Sequence, residues 1–256
     1  MEDIKVSIIT VCYNSEKTIR KTIKSVLDQT YKNIEYIIVD GASKDGTLDI
    51  VNKYREAFGD RLTVISESDD GIYYAMNKGI KILTGELIGI INSDDWYEED
   101  AVEKIVRNYN ERHVSKYEVY YGMTGIIKNG ELLTVSKSSH ENLEEDMISH
   151  PSCFITKATY EKYGLYDTRY TCVADYDLML RYKRSNVVRF IPVDEHIANF
   201  SIGGMSSTGK AYIDLLKLKL NYGKITRAEA SKEIIKAKIA IWMENYGMKT
   251  IEIRKR

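Results

Sequence analysis

Two adjacent carboxylates, Asp94 and Asp95, close the apolar run Leu87 to Ile91, within Asn92-Ser93-Asp94-Asp95. Neighbouring like charges repel, so such a pair persists where a cation or a hydroxyl network neutralises it. Hard oxygen ligands suit Mn2+ or Mg2+, and an ion held this way can bridge a diphosphate while keeping several waters. The same pair also reads as solvated loop acids. Asp40 ends a second apolar run, in Val39-Asp40-Gly41-Ala42-Ser43-Lys44-Asp45-Gly46. It can accept from a ribose hydroxyl or a base N–H, or it can cap a turn. Asp175 opens a helical pattern in Val173-Ala174-Asp175-Tyr176-Asp177-Leu178, as a cap or, if it projects into a cleft, as a general base. Asp69 and Asp70 precede Gly71 and read most plainly as helix caps, with Asn77 and Lys78 on the helix beyond.

These side chains need a scaffold that gathers them. Strands are expected at Lys5 to Val11, Ile34 to Val39, Leu62 to Ile65 and Leu87 to Ile91. Between them, helical spacing covers Thr18 to Leu27, Thr47 to Phe58 and Tyr73 to Leu83, and a fourth helix follows from Glu99 to Tyr109. This alternation implies an α/β fold, a mostly parallel sheet with helices on both faces. Ligands bind such sheets outside the carboxyl ends of the strands, where Tyr13, Asp40, Asp69 and Asp94 all fall. After residue 112 the pattern changes. Glu118 to Ile127 and Glu131 to Val135 form a hairpin turned at Lys128-Asn129-Gly130. A short apolar segment (Cys153 to Ile155), a helix (Ala174 to Lys183) and two strands (Val187 to Ile191, His196 to Phe200) follow. The tail is helical, with Ile225, Ala228, Ile235, Ile239, Trp242 and Tyr246 on one stripe and lysines around it.

Composition excludes several classes. At ~100–200 residues per domain, 256 residues make one large domain or a domain with a small appendage. With 37 basic and 38 acidic residues the net charge is −1, which argues against a nucleic-acid partner. There is no GxGxxG after the first strand and no P-loop, so the usual Gly-rich dinucleotide and nucleotidyl-transfer sites are absent. Cys12, Cys153 and Cys172 make neither a disulfide framework nor a zinc pattern, which suits a cytoplasmic protein, and Cys12 reads as a small core hydrophobe. No secretory leader or run of 18 apolar residues is expected. Charge is uneven: Lys210 to Arg256 carries twelve basic and five acidic residues on an otherwise acidic body. That tail can pack as a helical pair, dimerise, or lie on an anionic membrane surface.

The motifs taken together resemble glycosyltransferase family 2, enzymes of the GT-A fold. Ser7 to Asn14 is similar to that family's opening strand, and Ile37 to Thr47 to its turn after the second strand. Glu67 to Gly79 resembles a segment of many surface-polysaccharide transferases, and Thr84 to Asp95 resembles the segment ending in paired acids. His150 to Phe154, Ala174 to Asp177 and Phe200 to Ser206 resemble later elements. The resemblance implies inverting transfer from a nucleotide-sugar, most often a UDP-sugar, to a hydroxyl of a glycan or lipid-linked acceptor. It implies that Thr10 and Asp40, with Tyr13 beside them, hold the nucleoside, that Ser93, Asp94 and Asp95 form the metal-and-diphosphate site with Asp95 as metal ligand, and that Asp69 and Asn77 line the donor site. Asp175 would be the catalytic base, although many relatives carry Glu-Asp where this chain has Ala174-Asp175, leaving Asp177 as the other nearby acid. From the residues themselves, His150 before Pro151 reads as an acceptor or phosphate contact or as local structure, and Gly203 and Gly204, with Ser206 and Ser207, as a lid over the diphosphate or as a simple linker to the tail.

On this reading residues 1–207 are the transferase domain, with 1–112 binding nucleotide and 113–207 binding acceptor, and 208–256 are a basic helical extension. The protein would work in the cytoplasm, at the inner face of the membrane. The competing class is a non-catalytic nucleotide-sugar or glycan-binding protein of the same fold.

Overall fold

The computed structural model describes residues 3–204 and 208–245. The chain divides into two compact units. One comprises the residues up to Thr168 together with Asp175–Ile202; the other comprises Arg169–Ala174 together with the described residues from Gly203 onward. Ser206, Ser207 and Tyr246 lie outside the described residues.

In the first unit, the strands β1 (Val6–Cys12), β2 (Ile34–Asp40), β3 (Leu62–Ser66) and β4 (Leu87–Ile90) run parallel in the order β3-β2-β1-β4. Their apolar runs predict all four, because each central strand is covered on both faces and has no polar side. Every residue of β1 is buried. Ile8 joins a core with residues of α1 (Ile19–Leu27), α2 (Thr47–Asn52), α3 (Arg55–Phe58) and, beyond α4 (Ile72–Ile82), of α5 (Ala101–Arg112). Ile9, on the opposite face, meets α4 at Gly79, where an added Cβ would stand 2.9 Å from the Ile9 side chain. Burying one such isoleucine contributes about 1.5–3 kcal/mol.

The helix expected over Thr47 to Phe58 is two, α2 and α3, separated at Lys53 and Tyr54. A two-residue strand, β5 (Trp96–Tyr97), precedes α5. Then come β6 (Glu118–Lys128), its hairpin partner β7 (Glu131–Ser136), β8 (Cys153–Thr156), α6 (Lys157–Tyr163), α7 (Ala174–Arg184) and β9 (Arg189–Ser201). β8 is antiparallel to β4 and to β6, β9 runs parallel to β6, and β5 is antiparallel to β9. The two strands expected at 187–191 and 196–200 are thus one. Asp194 and Glu195 interrupt the apolar pattern within β9, near an irregularity in its register with β6, and they turn outward to Lys137 and Arg107.

The second unit is a helical pair. In α8 (Gly209–Asn221), Thr208 caps the N-terminus by accepting from the Ala211 N–H. α9 (Arg227–Asn245) packs back on α8, with Ile241 against Gly209. Asp214, buried on α8, accepts from the Thr171 N–H (2.6 Å) and hydroxyl (2.7 Å), which ties residues 169–174 into this unit.

Candidate active site

The parallel sheet sets the carboxyl ends of three strands side by side, Cys12 against Asp40 and Asp40 against Ser66. The loops beyond β1 and β2 are stitched together. Asn14 receives the Lys44 N–H on its Oδ1 (2.8 Å) and donates its own N–H to the Ser43 hydroxyl (2.8 Å). Asn14 and Ala42 both have left-handed backbone, φ 49° and 59°. That conformation costs an alanine about 1–2 kcal/mol and marks a loop whose shape is over-determined by its surroundings.

Asp40 is wholly buried. Its Oδ2 accepts from the Ser43 N–H (3.0 Å) and the Ser66 hydroxyl (2.7 Å), and its Oδ1 from the Ser43 hydroxyl and the Cys12 thiol (3.6 Å). The carboxylate therefore shapes the loop that leaves β2. Burial, with Asp40 beside it, pushes the Cys12 thiol up and keeps it protonated, in keeping with a core role. Thr10 also faces inward: it is fully buried, and its hydroxyl accepts from Tyr36 at 2.9 Å. Of the residues expected at the nucleoside, Tyr13 stands open, 63% exposed at the end of β1.

At the end of β4, Asp95 is 1% exposed and Asp94 is half-buried. Asp95 Oδ1 accepts from the Ser201 N–H (2.8 Å), while its Oδ2 is buried with no hydrogen-bond partner. The Ser201 hydroxyl donates to the Asp94 carbonyl (2.7 Å), and Ser93 shares a hydrogen bond with Ser15 (2.8 Å). Burial pushes both carboxyls above the usual range, Asp95 well above, and the adjacent Asp94 charge pushes Asp95 further.

Gly71, at φ 136°, turns the chain from β3 into α4. In the first turn of α4, the Tyr73 hydroxyl reaches Asp175 Oδ1 at 3.0 Å. The Tyr176 N–H meets the same oxygen at 3.0 Å, so both bonds fall on Oδ1. Asp175 lies in the first turn of α7, where the helix dipole favours a negative charge. Asp177, the other nearby acid, is buried and accepts from Arg181 Nε at 2.7 Å; Arg181 in turn holds the carbonyls of Tyr163 and Leu165.

Behind Tyr73, Tyr166 stacks at 5.5 Å between ring centres. Its hydroxyl bonds His150 Nε2 (2.7 Å) and the Tyr160 hydroxyl (3.2 Å). Asn77 clamps the Tyr166 backbone with both ends of its amide (2.8 and 3.0 Å). His150 is buried, and burial lowers its pKa and favours the neutral ring. A cavity of about 460 Å3 beside α4 is lined by Asp69, Asp70, Tyr74, Asn77 and Lys78 among others. There Lys78 pairs with Asp69 and Glu67, each at 2.6 Å, and Asp69 Oδ2 is buried without a partner. Asp94, Asp95 and Asp175 do not line this cavity. Gly203 (φ 111°) and Gly204 fall in the second unit.

The glycosyl transferase family 2 model matches residues 7–164, more than half of the chain. The chain belongs to that family. As a family 2 glycosyltransferase it is 28% identical over 223 residues to the PGL/p-HBAD biosynthesis glycosyltransferase of Mycobacterium tuberculosis, covering 85% of this chain and 86% of that protein. Among solved structures it resembles S. aureus TarS 1-349 in complex with UDP-GlcNAc, with TM-score 0.69 and 21% identity over 93% of this chain and 73% of that one. It also resembles a mannosyltransferase of Pyrobaculum calidifontis in complex with GDP-Man and Mn2+, with TM-score 0.64 and 17% identity over 92% and 69%. These likenesses show the fold, which is GT-A.

The acids of this family 2 chain suit a divalent ion. Asp94 and Asp95 offer hard oxygen donors, and Asp95 Oδ2 is a buried acceptor without a donor. Among the described residues there is no group of three His, Cys, Asp or Glu side chains placed as a metal cage. A Mg2+ or Mn2+ site of one or two carboxylates completed by substrate phosphates needs no such cage. Of the two, the half-buried Asp94 is the more open, and Asp95 stands behind it.

Sequence reasoning gave Tyr73, Tyr166 and Ser201 no role. The one local signal was the position of Tyr73, two residues past the Gly71 turn. Ser201 carried none, because its bonds to Asp94 and Asp95 span more than a hundred residues.

Proposed function

We propose that this chain performs an inverting, single-displacement transfer of a hexose or N-acetylhexosamine from a UDP-sugar. The acceptor is a hydroxyl of a glycan or lipid-linked glycan in cell-surface polysaccharide synthesis. The observation that carries the proposal is the Asp175 carboxylate: Tyr73 and the Tyr176 N–H both bind Oδ1, leaving Oδ2 to meet an acceptor hydroxyl. Oδ2 takes the acceptor proton as the acceptor oxygen bonds to the anomeric carbon. The bond from that carbon to the diphosphate breaks on the opposite face, and the nucleoside diphosphate leaves with the electron pair. An aspartate is a weak base at neutral pH, so positioning supplies the rate. Asp94 and Asp95 would hold a divalent ion, Mn2+ or Mg2+, which would supply positive charge to offset the negative charge on the leaving diphosphate.

The named relatives support the donor and the setting. TarS is seen with UDP-GlcNAc, the mannosyltransferase with GDP-Man and Mn2+, and the mycobacterial relative is named for PGL/p-HBAD biosynthesis. Nucleotide is assigned to residues 1–112, around Tyr13, Asp40 and Ser93, and acceptor to residues 113–207. Among the described residues no helix is long and apolar enough to cross a membrane. The proposed place of work is the cytoplasmic side, near the inner face.

Melting temperature with Mn2+ against UDP-, GDP-, CDP- and dTDP-sugars tests the donor. A ligand at 100 times its dissociation constant adds roughly 2.7 kcal/mol of stability. The expected result is a Mn2+-dependent rise with UDP and one UDP-sugar. A rise with GDP-sugars alone contradicts the uridine assignment. Binding without turnover would favour the non-catalytic module.

A further inference from the structure

The apolar stripe read in the tail sequence is not the face on which α9 packs. Ala230 is buried on that helix, with Ile234 and Ile241 partly covered on the same side. Ile235, Ile239 and Trp242 are instead 59%, 52% and 54% exposed. At 3.6 residues per turn these three fall within a sector of about 60°. Charge is sorted around them. Lys232 follows the stripe on one edge, and Arg227 and Lys238 follow it on the other, all exposed. Glu233 lies on the far side, paired with Lys236 at 2.7 Å, and Glu229 is turned to the helix start, accepting from Thr226 N–H and hydroxyl at 2.8 Å.

A second copy of the chain would cover an apolar stripe, but nothing in that pairing would call for basic residues on both edges of the stripe and acids behind. An anionic lipid surface calls for this arrangement. Isoleucine and tryptophan enter at the depth of the headgroups, and lysine and arginine at the edges meet the lipid phosphates. We propose that the outward face of α9 docks the protein on an anionic membrane surface through Ile235, Ile239 and Trp242, flanked by Arg227, Lys232 and Lys238. The proposal stands on α9 alone and is independent of the donor and the catalytic base.

The test uses the full chain and lipid vesicles, without nucleotide. The protein has two tryptophans, Trp96 and Trp242. In Trp96→Phe, emission therefore reports on Trp242. With 3:1 phosphatidylcholine–phosphatidylglycerol vesicles, emission shifts to the blue and the protein co-sediments. With pure phosphatidylcholine, binding is at least tenfold weaker. Raising salt to 0.5 M weakens the anionic binding, and Lys232→Glu/Lys238→Glu weakens it more than 20-fold, since each basic side chain near such a surface is worth about fivefold. Ile235→Ser/Ile239→Ser abolishes the blue shift while circular dichroism stays helical. Equal binding to both vesicles, or none to either, overturns the proposal. So does a concentration-dependent dimer that buries Trp242 without lipid. The salt series on the unmutated chain keeps the outcome decisive should a variant fold poorly.

Discussion

The Tyr73 hydroxyl donates to Asp175 Oδ1 at 3.0 Å, joining the first turn of α4 to the first turn of α7 across 102 residues of chain. α4 follows the carboxyl end of β3 after the loop 67–71, so this bond ties Asp175 to the carboxyl edge of the parallel sheet. A hydrogen bond to a charged group contributes about 1.5–3 kcal/mol, and small displacements of a catalytic group are expensive in rate. Tyr73→Phe should lower kcat roughly 10- to 100-fold while the KM for the donor stays within about twofold. Steady-state kinetics at saturating acceptor checks this. An unchanged kcat would show that Asp175 is held by other means.

Asp94 and Asp95 are held at a cost, since burial and mutual repulsion oppose their charge. Asp95→Asn keeps an Oδ1 acceptor for the Ser201 N–H and removes the buried charge. Without metal, at pH 7, this variant should be more stable by about 1 kcal/mol, a rise in melting temperature of roughly 2–4 °C. A carboxyl raised in the folded state destabilises it above its unfolded pKa, so the gain should shrink as pH falls towards 4. Asp94→Asn should abolish the Mn2+-dependent part of nucleotide binding. A destabilised Asp95→Asn would mean that the charge is already compensated.

His150 supplies a pH effect of the opposite sense. Burial lowers its folded pKa below the unfolded value near 6.5, so the folded state binds its proton less readily. The stability present above that value is lost as pH falls below it. Melting temperature should therefore drop more steeply from pH 7 to 5 in the unmutated protein than in His150→Gln, which retains a polar partner for the Tyr166 hydroxyl. Parallel curves would place His150 in a solvated setting.

The parallel half of the fold is legible because strands buried on both faces must be mostly apolar, and β1, β2 and β4 are. The same property hides part of the site. In β1 every residue is buried, so no alternation tells which side chains face the core, and Thr10 turns inward under Tyr36 while Tyr13 is open. β9 is misread as two strands because Asp194 and Glu195 sit inside it, each paired with a basic residue distant in sequence. The acids at strand ends are legible from type and position. What each one bonds is not: Asp40 answers to Ser66, Asp95 to Ser201 and Asp175 to Tyr73, all long-range contacts that only the folded sheet creates. The tail stripe is legible as periodicity, but periodicity alone does not say whether a stripe faces inward or outward.

The central claim is that Asp175 is the base of a sugar transfer. Its most direct test is Asp175→Asn, which keeps an Oδ1 acceptor for Tyr73 and removes the proton acceptor at the other atom. Transfer from the UDP-sugar identified by thermal shift is followed alongside calorimetric UDP affinity in Mn2+. The account predicts a fall in turnover of at least about 10²–10⁴-fold, the range for general-base catalysis, with UDP affinity unchanged within twofold. Full turnover in Asp175→Asn, with UDP still bound, would contradict it.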